Sequence, residues 1–593
     1  MRPSDRWHSL ELRLRAAGAL LPHARDLLPG ARVNAATMLE RNARKLPEDV
    51  ALLFEDERYT WAELNRLANR WARLLLSEGI TRGDVIALVM DNRPEYVLAL
   101  LGASKLQAIV ACVNTNISGQ PLAHAIGITK PRLVVVGSEH ERAVEPVLGH
   151  LRSFGPPPKL LVHADRSGAS SRELVNARLL TMASSDLGGP SPLSAEPMTY
   201  LYTSGTTGLP KAAIVTNRRF LVASYGFGKV AHFAKPGDVI YVTMPFYHGS
   251  AQWGGLGASL ATGAAVALRR KFSASAFWKD AIRFRATRMM YIGELCRYLL
   301  NQPPSPDDTA HTVRVAVGNG LRPDVWEPFQ TRFGIPVIRE FYGATEGNSP
   351  ILNIDGRRGM LGRLGFGQAL VACDTETGDA RRDGRGRCER IRRPGETGLF
   401  IARMAGGALK YDGYVDQSAT QQKVLRDVFR KGDAWFNSGD LMTLHEERWV
   451  SFADRVGDTF RFRGENVSTS EVALVLNRAK GVLESSVFGV TLPGSEGKAG
   501  MACLVVSPEF DIDVFARHVQ TALPRYSRPL FVRLLGNMRV TSTLKHQKNE
   551  YRSEGYDPDR TRDPLFALVG GRYVPLTKEL YRRIHAGEVS PGS

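Results

Sequence analysis

The sequence predicts an α/β protein of at least two domains, and three observations support this. The chain has 593 residues, whereas a single domain usually stops growing near ~250–300 residues. Hydrophobic residues make up 43% and charged residues 23% of the chain, a composition typical of globular proteins. From about residue 50 onward, short runs rich in Val, Ile and Leu alternate with helical patterns. Such alternation is typical of parallel strands joined by crossover helices.

Residues 84–114 show this alternation most clearly. We expect a strand over residues 84–90, a helix over 94–105 and a second strand over 108–114. The most hydrophobic stretch, 96–113, contains a lysine and a glutamine. It therefore predicts a buried helix that runs into a strand, not a transmembrane helix.

Changes in composition divide the rest of the chain. A Gly-, Pro- and Ser-rich stretch at 188–196 is an expected linker before a strand at 198–202, and residues 355–394 predict hairpins and exposed turns. The alternation restarts on a smaller scale after the segment 452–458. We predict an N-terminal helical extension at 1–34, a large domain at 35–456 and a small domain at 457–593.

The N-terminal extension carries an apolar helical face formed by Leu10, Leu14, Ala17 and Leu21. Such a face either packs on its own domain or lies in a membrane interface, and both interpretations stay open. Charged residues interrupt the apolar stretch, so we expect no signal peptide.

The charge balance favours anionic partners. Lys and Arg number 78 against 60 Asp and Glu, giving a formal net charge of +18. This excess attracts nucleic acid, an anionic membrane, or small molecules that carry phosphate and carboxylate. Nucleic acid is not expected, because no helix-turn-helix, RNA-binding or zinc motif accompanies the charge. The arginine run at 381–393 is either a solvated face or a patch for a membrane or another polyanion.

Cysteine usage indicates the compartment. The five cysteines are far apart and form no CxxC pair. This pattern excludes a disulfide framework and a zinc knuckle, and it predicts a reducing cytoplasm.

The most informative string is YLYTSGTTGLPKAA, at 200–213. Glycines let backbone N–H groups approach phosphate oxygens, hydroxyls add donors, and a lysine supplies a compact positive charge. Pro210 and Ala212 stand where a Walker A loop needs Gly and Ser or Thr, so a kinase-like ATPase is disfavoured. The string predicts a different polyphosphate-binding loop, with ligands from Thr203, Ser204, Gly205, Thr206, Thr207, Gly208 and Lys211.

This loop resembles the signature of the adenylate-forming superfamily, which includes acyl-CoA synthetases, luciferase and the adenylation domains of peptide synthetases. Further matching strings follow in the expected order: VGNGL at 317–321, FYGATEGN at 341–348, WFNSGDL at 435–441, DRVGDTFRFRGENVSTSEV at 454–472 and TSTLKHQK at 541–548. YIGELCRYLLNQPP at 291–304 and the C-terminal EGYDPDRTRDPLFAL are similar to the fatty acid transport protein or very-long-chain acyl-CoA synthetase family, and most similar to its bacterial members. The resemblance implies an acyl-adenylate-forming, luciferase-like fold, with a large N-terminal domain of α/β subdomains and a small mobile C-terminal α+β domain.

The resemblance also implies roles in binding ATP. Tyr342 and Gly343 would present a flat face to adenine, and Asp440 would accept both ribose hydroxyls. Arg455 would lie near the ribose or a phosphate. The turn that closes around the base edge would consist of Gly318, Asn319 and Gly320.

Catalytic roles follow from the same resemblance. In adenylation, a carboxylate attacks the α-phosphate of ATP and pyrophosphate departs, so catalysis consists mostly of positioning two anions and neutralising charge. The motif that contains Thr345 and Glu346 supplies a Mg²⁺ ligand, Glu346. Lys545 would reach the α-phosphate and the acyl carboxylate. Leu544 replaces the glycine that usually precedes this lysine, and Lys548 is the weaker alternative.

Other residues would serve the second half-reaction and the acyl chain. Gly457 matches a hinge position and Gly464 would let the pantetheine arm of coenzyme A pass; ordinary turn glycines are the alternative. His248 would line the carboxylate end of the acyl pocket or, alternatively, be a packed core residue. Trp253 and the three glycines at 254, 255 and 257 allow either an acyl tunnel or close helix packing.

The expected function is an ATP- and Mg²⁺-dependent long-chain or very-long-chain fatty acid–coenzyme A ligase, with small-molecule substrates and peripheral membrane association. One alternative is a ligase that transfers the acyl group to a carrier protein. The other is a membrane component whose task is fatty acid uptake. We expect a cytoplasmic protein that associates peripherally with the inner face of the cell membrane.

Overall fold

A computed structural model of the chain describes residues 3–28, 30–165, 174–188, 192–203, 209–375, 377–406, 410–462, 465–495, 497–541 and 546–592. The chain forms two compact units. The first consists of Met1–Gly362 and Arg403–Val424, and the second consists of Arg363–Ala402 and Leu425–Ser593. The predicted domain boundary at 456/457 lies inside the second unit and stays a prediction.

The first unit contains two mixed sheets. Their strands are β1 Val50–Phe54, β2 Glu57–Thr60, β3 Val85–Val89, β4 Ile109–Cys112, β5 Leu133–Gly137, β6 Lys159–His163, β7 Pro197–Thr203, β8 Lys211–Thr216, β9 Val239–Val242, β10 Ala265–Leu268, β11 Arg288–Ile292, β12 Val315–Asn319, β13 Val337–Tyr342 and β14 Ile351–Asn353.

Helices connect these strands. They are α1 Pro3–Leu20, α2 Ala35–Lys45, α3 Trp61–Ser77, α4 Pro94–Leu106, α5 Gly119–Gly127, α6 Glu141–Val144, α7 Asn176–Thr181, α8 Asn217–Tyr225, α9 Gly249–Ala251, α10 Ala258–Thr262, α11 Phe277–Arg283, α12 Gly293–Leu300, α13 Asp307–Ala310, α14 Pro323–Phe333 and α15 Gln417–Gln421. Two π-helical segments, Gly226–Ala231 and Gln252–Gly257, continue α8 and α9.

Both sheets are parallel inside and antiparallel at one or both edges. The eight-stranded sheet has the order β14-β13-β12-β11-β9-β10-β1-β2, and its two outer pairs, β13/β14 and β1/β2, are antiparallel. The six-stranded sheet has the order β6-β5-β3-β4-β7-β8, and only its β7/β8 pair is antiparallel. The carboxyl ends of parallel strands meet at one edge of a sheet, where α/β proteins usually bind ligands.

The predicted strand–helix–strand at 84–114 is confirmed by β3, α4 and β4. Helix α4 is buried along almost its whole length, because it packs against α3 over the parallel strands. Its hydrophobicity therefore reflects the core, as predicted. Within the residues that the structure describes, no helix is both long and apolar enough to cross a membrane.

The second unit carries three smaller sheets. Its elements are β15 Gly362–Arg363, β16 Gln368–Val371, β17 Thr397–Arg403, β18 Val424–Arg426, β19 Ala434–Leu444, β20 Trp449–Arg455, β21 Phe460–Phe462, β22 Glu465–Val467, α16 Thr469–Leu476, β23 Val482–Thr491, β24 Lys498–Val506, α17 Ile512–Ala522, β25 Phe531–Leu535, α18 Lys548–Glu554, β26 Leu565–Val569, β27 Arg572–Pro575 and α19 Lys578–His585.

Two hydrophobic cores organise this unit. The sheet built on β15-β20-β19-β17-β16 surrounds a core that includes Val371, Leu399 and Trp435. The five-stranded sheet β23-β24-β25-β26-β27 packs with α16 and α17 around Phe488 and Phe515. This α+β arrangement is the smaller of the two types of core in the chain.

The N-terminal extension packs on the first unit through one side only. Ser9 donates a hydrogen bond to Asp355 (2.9 Å), and the Arg15 guanidinium lies 4.7 Å from the ring centre of Phe233. The leucine face is elsewhere on the helix: Leu10, Leu14 and Leu21 are exposed, Leu14 to 65% and Leu21 to 75%. The face that the sequence identified is therefore not the face that packs.

Candidate active site

The predicted phosphate loop joins two paired strands. Strands β7 and β8 are antiparallel, and their register places Thr203 opposite Lys211. The hydroxyl of one and the ammonium of the other therefore flank the loop at its two ends. Ser204 to Gly208, the other predicted phosphate ligands, lie outside the described residues.

A distant segment of the chain extends this hairpin. Ile214 donates a backbone hydrogen bond to Gly413 (2.9 Å), and Val415 donates one to Ala212 (2.9 Å). The bridge between Ala213 and Tyr414 sets Tyr414 beside β8. The Tyr414 hydroxyl then hydrogen-bonds to both Thr203 and Glu346. Backbone pairing thus brings the end of the loop to the predicted metal ligand.

Glu346 lies in the turn after β13 and is 9% exposed. Arg219, from α8, donates hydrogen bonds to the backbone carbonyls of Ala344 (3.0 Å) and Glu346 (3.1 Å). These two bonds span Thr345, which is half-buried. Arg219 therefore holds the turn through its backbone and leaves those contacts independent of the Glu346 carboxylate.

The electrostatics of this cluster favour neutral tyrosines beside a charged acid. Burial, reinforced by the negative charge of Glu346, raises the pKa of both Tyr414 and Tyr411. Burial lowers the pKa of Arg219, which Asp412 and Glu346 oppose by favouring its charged form. Tyr414 consequently stays a hydroxyl donor at neutral pH.

Three members of the cluster carried no sequence signal. Arg219 follows Lys211 by eight positions in an ordinary helix start, and Tyr411 and Tyr414 lie about 200 residues further on, outside every motif. Only the pairing of 413–415 with β8 brings them to the site.

The predicted adenine turn lies at the carboxyl ends of three adjacent parallel strands. Strand β12 pairs with β11 and β13, and Gly318 stands in register with Tyr291 on one side and Glu340 on the other. A side chain at Gly318 would overlap Tyr291, and Gly320 adopts φ +77°. Tyr342 and Gly343 follow on β13, so the structure brings all five predicted adenine residues to one sheet edge.

The region around His248 is more tightly packed than a tunnel would be. His248 is half-buried just before α9, with its ring centre 4.8 Å from that of Tyr247. A side chain added at Gly254, Gly255 or Gly257 would overlap Met290, Val242 or Ser224 in turn. Close helix packing therefore explains these glycines, whereas the role of His248 stays a prediction.

The predicted ribose ligand lies in the second unit. The antiparallel register of β19 and β20 places Asp440 opposite Arg455, and Arg455 Nε lies 3.1 Å from Asp440 Oδ1. The Asp440 side chain is buried, whereas that of Arg455 is half exposed. The hairpin thus brings together two residues that the sequence assigned to one ligand.

The hinge candidate Gly457 follows β20 and adopts φ +80°, a conformation that favours glycine. Next to it, Asp454 is buried and accepts hydrogen bonds from the backbone N–H (2.8 Å) and the hydroxyl (3.0 Å) of Thr469. These bonds join residues on the two sides of Gly457. Whether Gly457 acts as a hinge stays a prediction.

The two candidate lysines differ in what the structure shows. Lys548 begins α18, and its ammonium lies 3.3 Å from Asp458 and donates a hydrogen bond to Thr469 (3.1 Å). Those partners occupy it within the second unit. Lys545 and the predicted pantetheine contact Gly464 lie outside the described residues.

Known proteins with similar sequences identify the family. The AMP-binding enzyme family matches residues 39–389. Over 571 residues the chain is 40% identical to long-chain fatty acid transport protein 6 of Mus musculus, covering 92% of this chain and 90% of that protein. It is 37% identical over 575 residues to the medium/long-chain-fatty-acid–CoA ligase FadD6 of Mycobacterium tuberculosis, covering 95% and 93%. The chain belongs to the AMP-binding enzyme family. The predicted resemblance is thereby confirmed.

Solved structures agree on the fold of this family member. The anthranilate CoA ligase AuaEII in complex with anthranoyl-AMP superimposes with a TM-score of 0.76 at 21% identity, covering 89% of this chain and 98% of that one. ATP-bound MatB from Rhodopseudomonas palustris gives 0.74 at 22% identity, with 88% and 99% covered. The predicted adenylate-forming, luciferase-like fold is confirmed.

Proposed function

We propose that this protein is an AMP-forming ligase that joins a long-chain or very-long-chain fatty acid to coenzyme A, with ATP as the energy source. The observation that carries this is the contact of Thr203, Tyr414 and buried Glu346 at the phosphate hairpin of an AMP-binding family member. The names of the relatives, a fatty acid–CoA ligase and long-chain fatty acid transport proteins, support the choice of acid.

In the first step, a carboxylate oxygen of the fatty acid bonds to the α-phosphorus of ATP, and the bond from that phosphorus to the bridging oxygen breaks. Pyrophosphate leaves with the electron pair, and acyl-AMP remains. Lys211 and the hydroxyl of Thr203 hold the outer phosphates at the two ends of the loop. The proposed role of Lys545 is to neutralise charge that develops at the α-phosphate.

The donor set around Glu346 fits Mg²⁺. A single buried carboxylate with threonine hydroxyls nearby matches the preference of Mg²⁺ for oxygen ligands, with the remaining positions left to phosphate and water. When bound, the ion supplies neutralisation of the phosphate oxygens. Arg219 keeps the turn of Thr345 and Glu346 in place through its two carbonyl contacts.

The nucleoside ligands come from the remaining predicted residues. Tyr342, Gly343 and the turn Gly318–Asn319–Gly320 receive the adenine, and Asp440 accepts hydrogen bonds from the ribose hydroxyls. Arg455 contributes a positive charge beside Asp440, whose buried carboxylate it keeps ionised.

In the second step, the coenzyme A sulfur bonds to the acyl carbon, the acyl–phosphate bond breaks and AMP leaves, while the thiol proton passes to solvent. Gly457 is the proposed hinge between the steps, and Gly464 the proposed contact of the pantetheine arm. His248 is assigned to the carboxylate end of the acyl pocket.

The finer proposal for location is a peripheral position at the inner face of the cell membrane. It is supported by the exposed Leu10, Leu14 and Leu21, which lie beside the exposed Arg13 and Arg25. Apolar side chains flanked by arginine are suited to the boundary of an anionic bilayer.

Cosedimentation with vesicles tests this location. The Leu10→Glu/Leu14→Glu double variant should lose binding to vesicles that contain anionic lipid. A matched control is Leu76→Glu, which changes a leucine of α3 exposed to 47% and should bind like the unaltered protein. Equal binding by all three proteins would remove the leucine face from the proposal.

Product analysis tests the acceptor. The protein with ATP, Mg²⁺ and palmitate should form the thioester with coenzyme A but not with a phosphopantetheinylated carrier protein. Thioester formation only on the carrier would favour the carrier-loading ligase. Full fatty acid uptake by cells that carry Asp440→Ala would favour a transport function independent of ligation.

A further inference from the structure

A buried carboxylate lies directly behind the proposed adenine turn. Glu340, on β13, is 3% exposed. It accepts hydrogen bonds from the backbone N–H groups of Gly320 (3.2 Å) and Leu321 (3.0 Å) and from the Tyr291 hydroxyl (2.7 Å). One side chain therefore holds two consecutive amides of the turn.

No ion pair or hydrogen bond to an arginine or lysine of the described chain accompanies Glu340. Burial raises its pKa to about 8, although the Tyr291 hydroxyl and the two amides oppose this. A buried acid without a cationic partner costs stability, and it persists in folded proteins where it does another task. Here the only visible task is to hold the turn.

The turn has little freedom apart from this contact. Gly318 has no space for a side chain because Tyr291 fills it, and a side chain at Gly293 would overlap the Gly320 carbonyl. Tyr291 thus touches the turn from below at Gly318 and holds Glu340 at its other end. The two side chains form one support, which we call the turn clamp.

The turn presents one acceptor that the described residues leave without a partner. Asn319 Oδ1 is buried and makes no hydrogen bond to any part of the chain that the structure describes. An amino group, such as the exocyclic amine of adenine, would satisfy it, whereas the oxo group of guanine would meet it acceptor to acceptor.

We propose, resting on the nucleotide role assigned to this turn above, that Glu340 and Tyr291 are positioning residues that fix Asn319 and thereby set the affinity and the base selectivity for ATP. Neither side chain contacts the reacting phosphates, so the clamp acts on binding of the base and not on the chemical step. Loosening it should raise KM for ATP and leave kcat nearly unchanged.

Glu340→Gln tests the clamp with little change in shape. The amide nitrogen of glutamine would face a backbone N–H, so one of the two turn contacts is lost. We expect KM for ATP to rise about tenfold, with kcat within about twofold, because a hydrogen bond to a charged group is lost. The preference for ATP over GTP should fall by a similar factor. Tyr291→Phe should show a smaller change in the same direction.

Asp238→Asn is the matched control. Asp238 is also a buried carboxylate of the eight-stranded sheet, but it precedes β9 and pairs with Arg288 (3.2 Å) and Arg314 (3.1 Å) at the amino ends of the strands. This variant should melt at a lower temperature while keeping the KM for ATP. If it does not fold, Arg314→Gln, which removes one partner of Asp238, replaces it.

Binding of tripolyphosphate separates the possible outcomes. It contacts no base site, so Glu340→Gln should bind it as the unaltered protein does. Unchanged KM and ATP/GTP selectivity in a folded Glu340→Gln would overturn the clamp, as would an equal loss of tripolyphosphate binding. If the unaltered protein binds tripolyphosphate but does not distinguish ATP from GTP, the adenine role of the turn fails instead.

Discussion

The eight-stranded sheet buries a carboxylate at each end of its parallel strands, and the two differ in their partners. At the amino end, Asp238 pairs with Arg288 and Arg314. At the carboxyl end, Glu340 has only neutral donors: two backbone amides and a tyrosine hydroxyl. The amino end is a closed ion-pair cluster, which stabilises the fold. The carboxyl end has instead an acid without a cation and an amide oxygen without a partner, as expected where a ligand completes the site.

The largest expected effect on activity comes from Glu346, which lies on the carboxyl side of the same sheet. Glu346→Gln should reduce acyl-AMP formation by at least ~100-fold, because it removes the proposed ligand of the ion that neutralises the phosphates. Palmitate-dependent acyl-AMP formation measures this. The melting temperature should change by no more than a few degrees. A variant with near-normal activity would remove Glu346 from the site.

The largest expected effect on stability comes from the opposite end of the sheet. Asp238→Asn leaves the buried Arg288 without its anion, a loss of about 3–5 kcal/mol for a broken buried pair. Calorimetry should show a lower melting temperature for the first unit, with no change in KM for ATP. A raised KM in folded protein would mean that the two ends of the sheet are not functionally distinct.

Tyr414 tests the link between the hairpin and Glu346. Tyr414→Phe removes one hydroxyl that contacts both Thr203 and Glu346. We expect acyl-AMP formation to fall about five- to tenfold, because a hydrogen bond to a charged group is lost. Tyr200→Phe, on the same hairpin but in register with Ile214, is the control and should keep its activity.

The smallest expected effect is the pH dependence of stability. The pKa of Glu340 is raised by burial from 4.5 to about 8, so the folded state binds more protons than the unfolded state between these values. The stability that the neutral acid provides is present below pH 4.5 and lost as the pH rises through about 8. Relative to Glu340→Gln, the unaltered protein should therefore lose about 1 kcal/mol of unfolding free energy between pH 5 and pH 8. A difference in melting temperature that is constant with pH would contradict the assignment.

Sequence reasoning reached the strands and loops that short-range patterns encode. The alternation at 84–114 predicts β3, α4 and β4, and the glycine-rich string predicts the hairpin that Thr203 and Lys211 flank. Local patterns do not carry pairing between distant segments. For that reason Tyr414 was missed, as was Glu340, which stands two residues before the motif tyrosine and gave no sign that it would reach Gly320 across the sheet.

Some alternatives needed side-chain packing to decide. The glycines at 254, 255 and 257 suit a tunnel or close packing equally well in sequence, and Met290, Val242 and Ser224 decide for packing. The leucine face of α1 was identified correctly from its helical spacing, but periodicity does not tell which face meets protein. Those distinctions depend on residues far away in the chain.

Fatty-acid-dependent exchange between ATP and pyrophosphate tests the central claim most directly. With Mg²⁺ and without coenzyme A, the protein should exchange labelled pyrophosphate into ATP when a long-chain acid is present, because acyl-AMP formation is reversible. Glu346→Gln should abolish the exchange and Asp238→Asn should retain it. An absence of exchange with every acid from short to very long chain would contradict the proposed ligase.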